Sequence, residues 1–263
     1  MSLIQRLQER TGGTKDYLSY STVKYALEDM RLFELKYLDK LKKKTQALSF
    51  GSLYDCLLMT PEEFDDRFVM IDDDQIVEEL KTKGIKNPRA TKVYKDYLRK
   101  LEQDNPDKEM VNADDHTQAI DMITRLEDCG AKDLYLTGKY QVEFKKPIPT
   151  KNHGDVMMRG FLDCLGKTFI CDSKSCQNLN GFKYDIFKYG YPIQAYLYLT
   201  AFDLDEFYWL AQSKVYPYTP GVYKASEETL KLGENKFNQA IDTIADFLES
   251  DKGSETHYLI QTI

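Results

Sequence analysis

The chain has 263 residues, of which 42% are hydrophobic, so it is long enough to bury the core of one large domain. Its formal net charge of −7 counts against a general nucleic-acid-binding module, because most such modules are basic. No apolar run approaches the length of a membrane-spanning helix, and the polar start MSLIQRLQERTGG is unlike a secretory signal. We therefore expect a cytoplasmic protein that does not enter a membrane.

The five cysteines and three histidines argue against two kinds of site. An odd number of cysteines in a cytoplasmic chain argues against a disulfide framework. The absence of a Cys-x-x-Cys pair and the wide spacing of the histidines argue against a zinc or iron–sulfur site. We expect Cys164 and Cys171, which stand between apolar residues, to pack as small hydrophobic side chains.

The first 71 residues predict helices followed by one short strand. Apolar residues recur at helical spacing from Val23 to Leu41, with Ser21 as the predicted N-cap. Gly51-Ser52 opens a second predicted helix, which stops before Thr60-Pro61. That pair predicts a further helix start, with the threonine as N-cap and the proline at the first helical position. Phe68 to Ile71 is predicted to be a strand.

Residues 72–138 are polar and charged, with helical patterns near 89–103 and 115–129 and a helix entry at Asn112. No glycine-, serine- or proline-rich linker separates this segment from its neighbours. We therefore interpret it as a helical insertion rather than a second domain. The predicted organisation is a single domain over 1–263, made of an N-terminal helical part (1–71), the insertion (72–138) and a core (139–263).

From residue 139 onward the pattern alternates between strands and helices. The segment 139–144 alternates like a strand, and 156–161 leads into a second strand. A long aromatic helix over 182–204, a strand over 207–215 and a helix over 227–248 follow. This order predicts the α/β class, as a mixed sheet with helices packed against it.

The segment GFLDCLGKTFICDSK, residues 160–174, predicts two strands joined by a tight turn at Gly166-Lys167. In that register Asp163 pairs with Ile170, and Asp172 is the diagonal neighbour of Asp163 on the same face. Lys174 follows on that face, because strand side chains alternate. A register slip of one residue would turn Asp163 away from the other two.

Acidic residues inside apolar strands are costly to bury unless they bind something. Two carboxylates and a lysine on one face are what a Mg²⁺-dependent phosphodiester hydrolase requires. The alternative is a surface hairpin with a polar outer face, since Asp-x-Lys by itself is a weak signal. The whole arrangement, Gly-x-x-Asp, a turn, an apolar strand and then Asp-x-Lys, favours the hydrolase.

Gln194 and Tyr198 lie four residues apart in the predicted helix 182–204 and therefore share one helical face. A glutamine amide beside carboxylates can bind the attacking water or a phosphate oxygen, and the tyrosine can support it or contact DNA. Taken alone, the two residues are better explained as a partly buried polar pair. Their position just after Asp-x-Lys favours a functional role.

At these residues the chain resembles the PD-(D/E)xK nuclease superfamily and, more narrowly, its exonuclease VIII (RecE-type) branch, which also resembles phage recombination exonucleases. The order and spacing of several segments carry the resemblance, whereas 72–140 is only loosely similar. These segments are LSYSTVKYAL, FGSLYDCLLMTPEEFDDRFV, VEF, GFLDCL, ICDSK, QAYLY and FYWLAQSKVYPY. The resemblance implies a restriction-endonuclease-like core.

The resemblance also implies a metal site. Asp163 and Asp172 would bind Mg²⁺, for which Mn²⁺ may substitute, and Asp55 and the Ser173 carbonyl would complete the ligands. The family has a histidine in a Gly-x-x-x-His element where this chain has Asp55, four residues after Gly51. An aspartate can also ligate Mg²⁺ through oxygen, but the change could equally mark an altered metal preference or lost activity.

Further roles follow from the same resemblance. Lys174 would orient or help to deprotonate the attacking water and offset charge on the phosphate. Glu143 matches the family's glutamate on the strand before the hairpin, and we include it in the catalytic set. Gln194 and Tyr198 match a Gln-x-x-x-Tyr motif, and Ser175 is assigned a supporting role at the DNA.

The activity implied is 5′→3′ digestion of linear double-stranded DNA in phage-type recombination, by a ring-like homo-oligomer in a bacterial or phage-infected cell. A single-strand annealing protein is the implied partner. An endonuclease or defence-system nuclease of the same fold is one alternative. Another is a non-catalytic DNA-binding relative. Asp55 and the acidic total charge favour this alternative. The retained site residues argue against it, namely Asp163, Asp172, Lys174 and Gln194.

An acidic enzyme that encloses DNA needs only a locally positive channel. The lysine-rich segment 40–44 is one candidate source of that charge. The solvated C-terminal end of a helix explains the same lysines slightly better, because cations are favoured there.

Overall fold

A computed structural model of the chain describes residues 2–38 and 46–250, and the lysine-rich segment 40–44 therefore lies outside the described residues. The helices are α1 (Leu3–Arg10), α2 (Tyr20–Glu28), α3 (Met30–Phe33), α4 (Gln46–Met59), α5 (Phe64–Arg67), α6 (Asp74–Thr82), α7 (Lys92–Asp104), α8 (Ala113–Asp128), α9 (Ala131–Tyr135), α10 (Phe182–Lys188), α11 (Tyr191–Phe202) and α12 (Glu227–Glu249). The strands are β1 (Phe68–Ile71), β2 (Glu109–Asn112), β3 (Lys139–Thr150), β4 (Gly154–Leu165), β5 (Phe169–Cys176), β6 (Glu206–Ser213) and β7 (Pro220–Lys224).

Five strands form one mixed sheet in the order β3-β4-β5-β6-β7. The pair β5–β6 is parallel, and the other three pairs are antiparallel. The parallel pair requires a crossover, which α10 and α11 provide. The predicted α/β class, a mixed sheet with flanking helices, is confirmed.

The two sides of this sheet belong to different hydrophobic clusters, as β6 shows. Phe207 and Trp209 pack into a cluster with residues of α2, α11 and α12, whereas Leu210 packs into a cluster with residues of α4 and α8. Helices α11 and α12 approach closely at Gly233, where an added Cβ would lie 2.1 Å from the Pro192 carbonyl oxygen. That approach holds α11 in place over the sheet.

A second, two-stranded sheet pairs β1 with β2 in parallel. β1 was predicted, but β2 was not, because four residues within a charged region give no clear alternation. The helices predicted near 89–103 and 115–129 are α7 and α8, and Asn112 caps α8 by accepting from the Asp115 N–H at 2.7 Å. The division into 1–71, 72–138 and 139–263 stays a prediction.

Several predicted helix bounds are wrong. Helix α2 begins at Tyr20 with Ser19 as N-cap, not Ser21, because the Ser19 hydroxyl accepts from the Thr22 N–H. It ends at Glu28 rather than continuing to Leu41. Helix α3 and the π-helical turn Glu34–Leu38 follow it, and residues 39–41 lie outside the described residues.

Helix α4 begins at Gln46, before the predicted start at Gly51-Ser52. The turn after α4 is a 3-10 helix, Pro61–Glu63, which Thr60 precedes without a side-chain capping bond. The predicted helix over 182–204 is two helices, α10 and α11, because Gly190 between them has a φ of +73°.

None of the helices in the described parts of the chain is both long and apolar enough to cross a membrane. All five cysteines are free thiols, and Cys164 and Cys171 are buried, as expected.

Candidate active site

The turn between β4 and β5 lies one residue later than predicted. The Gly166 N–H donates to the Phe169 carbonyl at 2.9 Å, which leaves Lys167-Thr168 as the turn. Gly166 does not take the positive φ that the first position of a type II′ turn requires. It is a glycine for a different reason, because a Cβ there would lie 3.0 Å from the Phe169 ring.

Moving the turn by one residue moves the register by two. Cys164 pairs with Cys171, and Asp163 and Asp172 are the next residues on their strands. The predicted pairing of Asp163 with Ile170 is therefore wrong. The β4–β5 ladder ends at the Cys164–Cys171 pair, so the two aspartates lie just beyond its last pair.

Beyond the Cys164–Cys171 pair the two strands separate, and a side chain takes the place of the backbone ladder. The Asp163 carboxylate accepts a hydrogen bond from the Ser173 N–H at 2.9 Å. This bond satisfies a buried backbone donor that no longer faces a carbonyl. The opening between the strands is thus lined by acidic side chains.

Asp172 is the most enclosed of these acids, with 2% of its surface exposed. The Gln194 amide on α11 donates to its Oδ1 at 2.7 Å, and the Lys174 ammonium forms an ion pair with its Oδ2. Lys174 also donates to the Ser173 carbonyl oxygen at 3.3 Å. The structure therefore brings together Asp163, Asp172, Lys174 and Gln194, four of the predicted site residues.

The acids of this cluster have unusual protonation equilibria. Burial and the negative charge of Asp172 raise the pKa of Asp163 to about 7. Burial by itself would lower the pKa of Lys174, but the charges of Asp172 and Asp163 raise it well above its ordinary value. Lys174 is therefore a permanent cation at neutral pH.

Asp55 of α4 is the third acid of the cluster. Burial and then the charge of Asp163 raise the pKa of the Asp55 carboxyl well above its ordinary value, while Lys174 and Arg67 act in the opposite direction. Arg67 is itself held by Glu63, at 3.1 Å from its carboxylate. Asp55 therefore interacts electrostatically with both Asp163 and Asp172.

A buried hydrogen-bond network anchors α4 beside Asp55. The Tyr54 hydroxyl donates to the Gln212 Oε1 of β6 at 2.5 Å. The Gln212 amide in turn donates to the carbonyls of Met122 at 2.7 Å and Tyr218 at 2.9 Å. Sequence reasoning missed this network, although Gln212 stands inside an otherwise apolar strand and was a visible anomaly there.

Two predicted residues lie apart from the cluster. The Glu143 carboxylate on β3 pairs with the Arg159 guanidinium of β4 at 2.5 Å, on the protein surface. Ser175 is opposite Gln212 in the β5–β6 ladder, and alternation places it on the other side of β5 from Lys174. Among the described residues, neither Glu143 nor Ser175 contacts Asp163 or Asp172. The roles predicted for them in catalysis and DNA support therefore have no contact to support them.

Aromatic residues close one side of the cluster. Tyr198 is buried one turn after Gln194, with its ring edge-on to Phe144 at 5.5 Å between centroids. Tyr191 was not predicted, and its ring lies 5.4 Å from the Lys174 Nζ. Its position three residues before Gln194 on the same helix was the available signal. Tyr20 is a further neighbour: burial raises its phenol pKa, and the Lys174 charge opposes that rise.

The donors present suit a hard divalent cation. Asp55, Asp163, Asp172 and the Ser173 carbonyl offer only oxygen, which Mg²⁺ and Mn²⁺ prefer. Within the described residues no three acidic, histidine or cysteine side chains are already arranged around a common metal position. Burial, and then the charge of a neighbouring aspartate, raises the pKa values of Asp163 and Asp55, and a bound cation would favour their charged forms.

Comparison with solved structures agrees with this description of the fold. The crystal structure of a "Putative exonuclease" from Eubacterium rectale aligns with a TM-score of 0.60 and 15% identity, over 100% of this chain and 96% of the other. The structure of SSO0001 aligns with a TM-score of 0.34 and 13% identity, over 79% of this chain and 90% of the other, which is too low to support an argument. No curated protein matches the chain.

A sequence family described as a PDDEXK-like domain of unknown function (DUF3799) matches residues 20–256. The match begins at the start of α2 and spans both sheets and the Asp163–Lys174 hairpin. The chain therefore belongs to this PDDEXK-like family, and with it to the PD-(D/E)xK nuclease superfamily.

Proposed function

We propose that the chain is a metal-dependent deoxyribonuclease that digests linear double-stranded DNA from an end. The observation that supports this most strongly is the convergence of Asp163, Asp172, Lys174 and Gln194 where β4 and β5 separate. A purely structural role explains them poorly, because burial and then the charge of Asp172 raise the pKa of Asp163 to about 7, so a charged carboxylate is disfavoured there without a further partner.

In this proposal Asp163, Asp172, Asp55 and the Ser173 carbonyl hold Mg²⁺. The ion supplies a water of lowered pKa and stabilises the charge that develops on the phosphate. Lys174 provides a fixed positive charge next to these oxygens, and its ammonium donates hydrogen bonds to the phosphate or the attacking water. Gln194 holds the Asp172 carboxylate in one orientation through its amide.

The finer parts of the proposal concern direction and biological setting. The resemblance to RecE-type exonucleases suggests 5′→3′ digestion in phage-type recombination, by a ring-like oligomer that works with a single-strand annealing protein. The 15% identity to the exonuclease-like structure supports the fold of such an enzyme and leaves these points as predictions.

The deciding experiment is digestion of end-labelled linear duplex DNA beside a closed circle of the same sequence, with Mg²⁺, Mn²⁺ or EDTA. We expect metal-dependent loss of the linear substrate only, and the order in which label is released gives the polarity. Cutting of the circle would indicate an endonuclease instead. Absence of cleavage with either metal would contradict the proposal and favour a non-catalytic relative.

Metal binding is measured separately by calorimetric titration of Mn²⁺ into the wild type and into Asp172→Asn. We expect weaker binding by the variant, because one carboxylate ligand is lost while its hydrogen-bonding shape is kept. Equal binding by both would remove Asp172 from the metal site whatever the cleavage result.

A further inference from the structure

A groove of about 170 Å³ opens between α2, the turn from α10 to α11, and α12. Three lysines line it, namely Lys24, Lys188 and Lys236. Glu28 is the one carboxylate among its lining residues, and it pairs with Lys24 at 3.5 Å. The groove is therefore positively charged on a chain whose net charge is −7.

Aromatic rings lie on the same surface. Phe187 and Tyr189 line the groove, and Tyr184 lies one turn earlier on α10. They are 47%, 39% and 68% exposed, which is unusual for large rings unless a partner covers them. The ammonium groups of Lys24 and Lys188 lie 5.7 Å and 5.2 Å from the Tyr189 ring centroid.

The groove is connected to the candidate active site by a short series of contacts. The Tyr189 and Tyr191 rings are 5.8 Å apart, and the Tyr191 ring is 5.4 Å from the Lys174 Nζ. The Tyr20 hydroxyl donates to the Tyr189 carbonyl at 2.6 Å, which ties α2 to the turn after α10. Two adjoining tyrosine rings therefore separate Lys174 from the groove.

We propose that this groove binds one unpaired strand of the DNA that enters the active site. Lysines meet the phosphates of a strand, and exposed rings stack on bases whose faces are free. Bases in a duplex are already stacked on each other, so the rings favour a single strand over a double one. The identity of the polymer as DNA rests on the proposed nuclease function, whereas the charge and the rings are features of the groove itself.

The test is binding of a fluorescent single-stranded oligonucleotide in EDTA, so that neither metal nor cleavage contributes. The variant is Lys188→Ala/Lys236→Ala. The matched control is Lys151→Ala/Lys231→Ala, two lysines that line a separate groove beside α12. Removal of two phosphate contacts lowers the slope of log affinity against log salt by about 1.4, since each contributes about 0.7 in a single strand.

We expect the groove variant to bind about tenfold more weakly in low salt, with that lower slope, and the control to bind as the wild type does. Phe187→Ala should weaken binding by about fivefold or more through lost stacking, with no change in the salt slope. Thermal unfolding of each variant establishes that the fold is retained.

The proposal is overturned if the groove variant binds the oligonucleotide with wild-type affinity and a wild-type salt slope. It is also overturned if both double variants lose the same affinity for the oligonucleotide, or if the wild type binds an acidic peptide more strongly than DNA. Cleavage is scored apart, on the duplex substrate. If the wild type cuts no DNA, and single-strand binding is lost in the groove variants but not in the control, the nuclease proposal is contradicted and the groove proposal is supported.

Discussion

Two regions of the molecule bury acidic side chains in opposite ways. Just after β1, Asp73 is 8% exposed and accepts from the Arg89 guanidinium at 2.8 and 3.2 Å and from the Tyr94 hydroxyl at 2.7 Å. The hydrogen bonds from Arg89 lower its pKa. Between β4 and β5, by contrast, burial and then the charge of Asp172 raise the pKa of Asp163.

We propose that this difference separates a structural acid, Asp73, from a functional one, Asp163. Asp73 has its partners within the fold, and its charge stabilises the packing of α6 against the turn before α7. Asp55, Asp163 and Asp172 share one lysine, so the fold keeps them together at a cost in stability. Such a cost is expected where a bound cation and a substrate supply the missing partners.

The largest expected effect follows from removal of the shared lysine. Lys174→Ala should lower cleavage of linear DNA by a factor of about 1,000 or more, because a fixed charge at the reacting phosphate is lost. Lys167→Ala removes an exposed lysine from the turn of the same hairpin and should leave cleavage unchanged.

Initial rates and thermal unfolding curves of both variants check this prediction. More than about a tenth of wild-type cleavage in a folded Lys174→Ala protein would exclude the lysine from the mechanism.

The next effect concerns the aspartate in the family histidine's place. Asp55→Ala should lower cleavage by about 10- to 100-fold through weaker metal binding, and Asp55→His should retain activity with a shifted Mn²⁺/Mg²⁺ preference. Rates across a range of each metal measure both. An unchanged metal profile in both variants would mean that Asp55 is not a ligand, despite its position beside Asp163.

The sequence could predict the strand acids because both lie near the same end of one hairpin. The turn of that hairpin was misplaced by one residue, yet Asp163 still reaches β5, where it accepts from the Ser173 N–H, and Lys174 still pairs with Asp172. Gln194 was placed near these residues by its position just after Asp-x-Lys, and it does contact Asp172.

Features that depend on tertiary partners were not predictable in this way. Glu143 was placed on the correct strand, but its side chain pairs with Arg159 from the neighbouring strand, a choice that no local pattern contains. The break at Gly190 was missed because the apolar pattern continues through it. Asp73 and Arg89 are sixteen residues apart in a charged segment, where nothing distinguishes a paired acid from a solvated one.

A smaller effect, on stability alone, should come from the structural acid. Asp73→Asn should lower the free energy of unfolding at pH 7 by about 1–2 kcal/mol, because charge-assisted bonds to Arg89 are weakened. The pKa of Asp73 is lowered in the folded state, so this contribution is present above its unfolded pKa of about 3.9 and is lost as the pH falls further. Denaturant unfolding at pH 7 and pH 3.5 measures it, and cleavage should stay within about twofold of wild type.

The last expected effect, also on stability, has the opposite sign. The folded-state pKa of Asp163 is raised to about 7, so the wild-type protein loses stability as the pH rises from its unfolded value of about 3.9 through 7. Asp163→Asn removes that charge and keeps an oxygen that can accept from the Ser173 N–H. In EDTA at pH 8 the variant should therefore unfold at a higher temperature than wild type, by about 2–4 °C for each kcal/mol gained in the free energy of unfolding. Near pH 4 the two proteins should unfold at the same temperature.

Addition of Mn²⁺ gives a second measurement on the same proteins. A cation that binds only the folded protein should raise the unfolding temperature of the wild type at pH 8, and it should raise that of Asp163→Asn much less. Asp73→Asn is the matched control, since it alters a buried aspartate without touching the proposed metal ligands and should respond to Mn²⁺ as wild type does. If Asp163→Asn instead lost stability at pH 8 as Asp73→Asn does at pH 7, the acid between β4 and β5 would be a satisfied structural group. The distinction between the two acids would then fail.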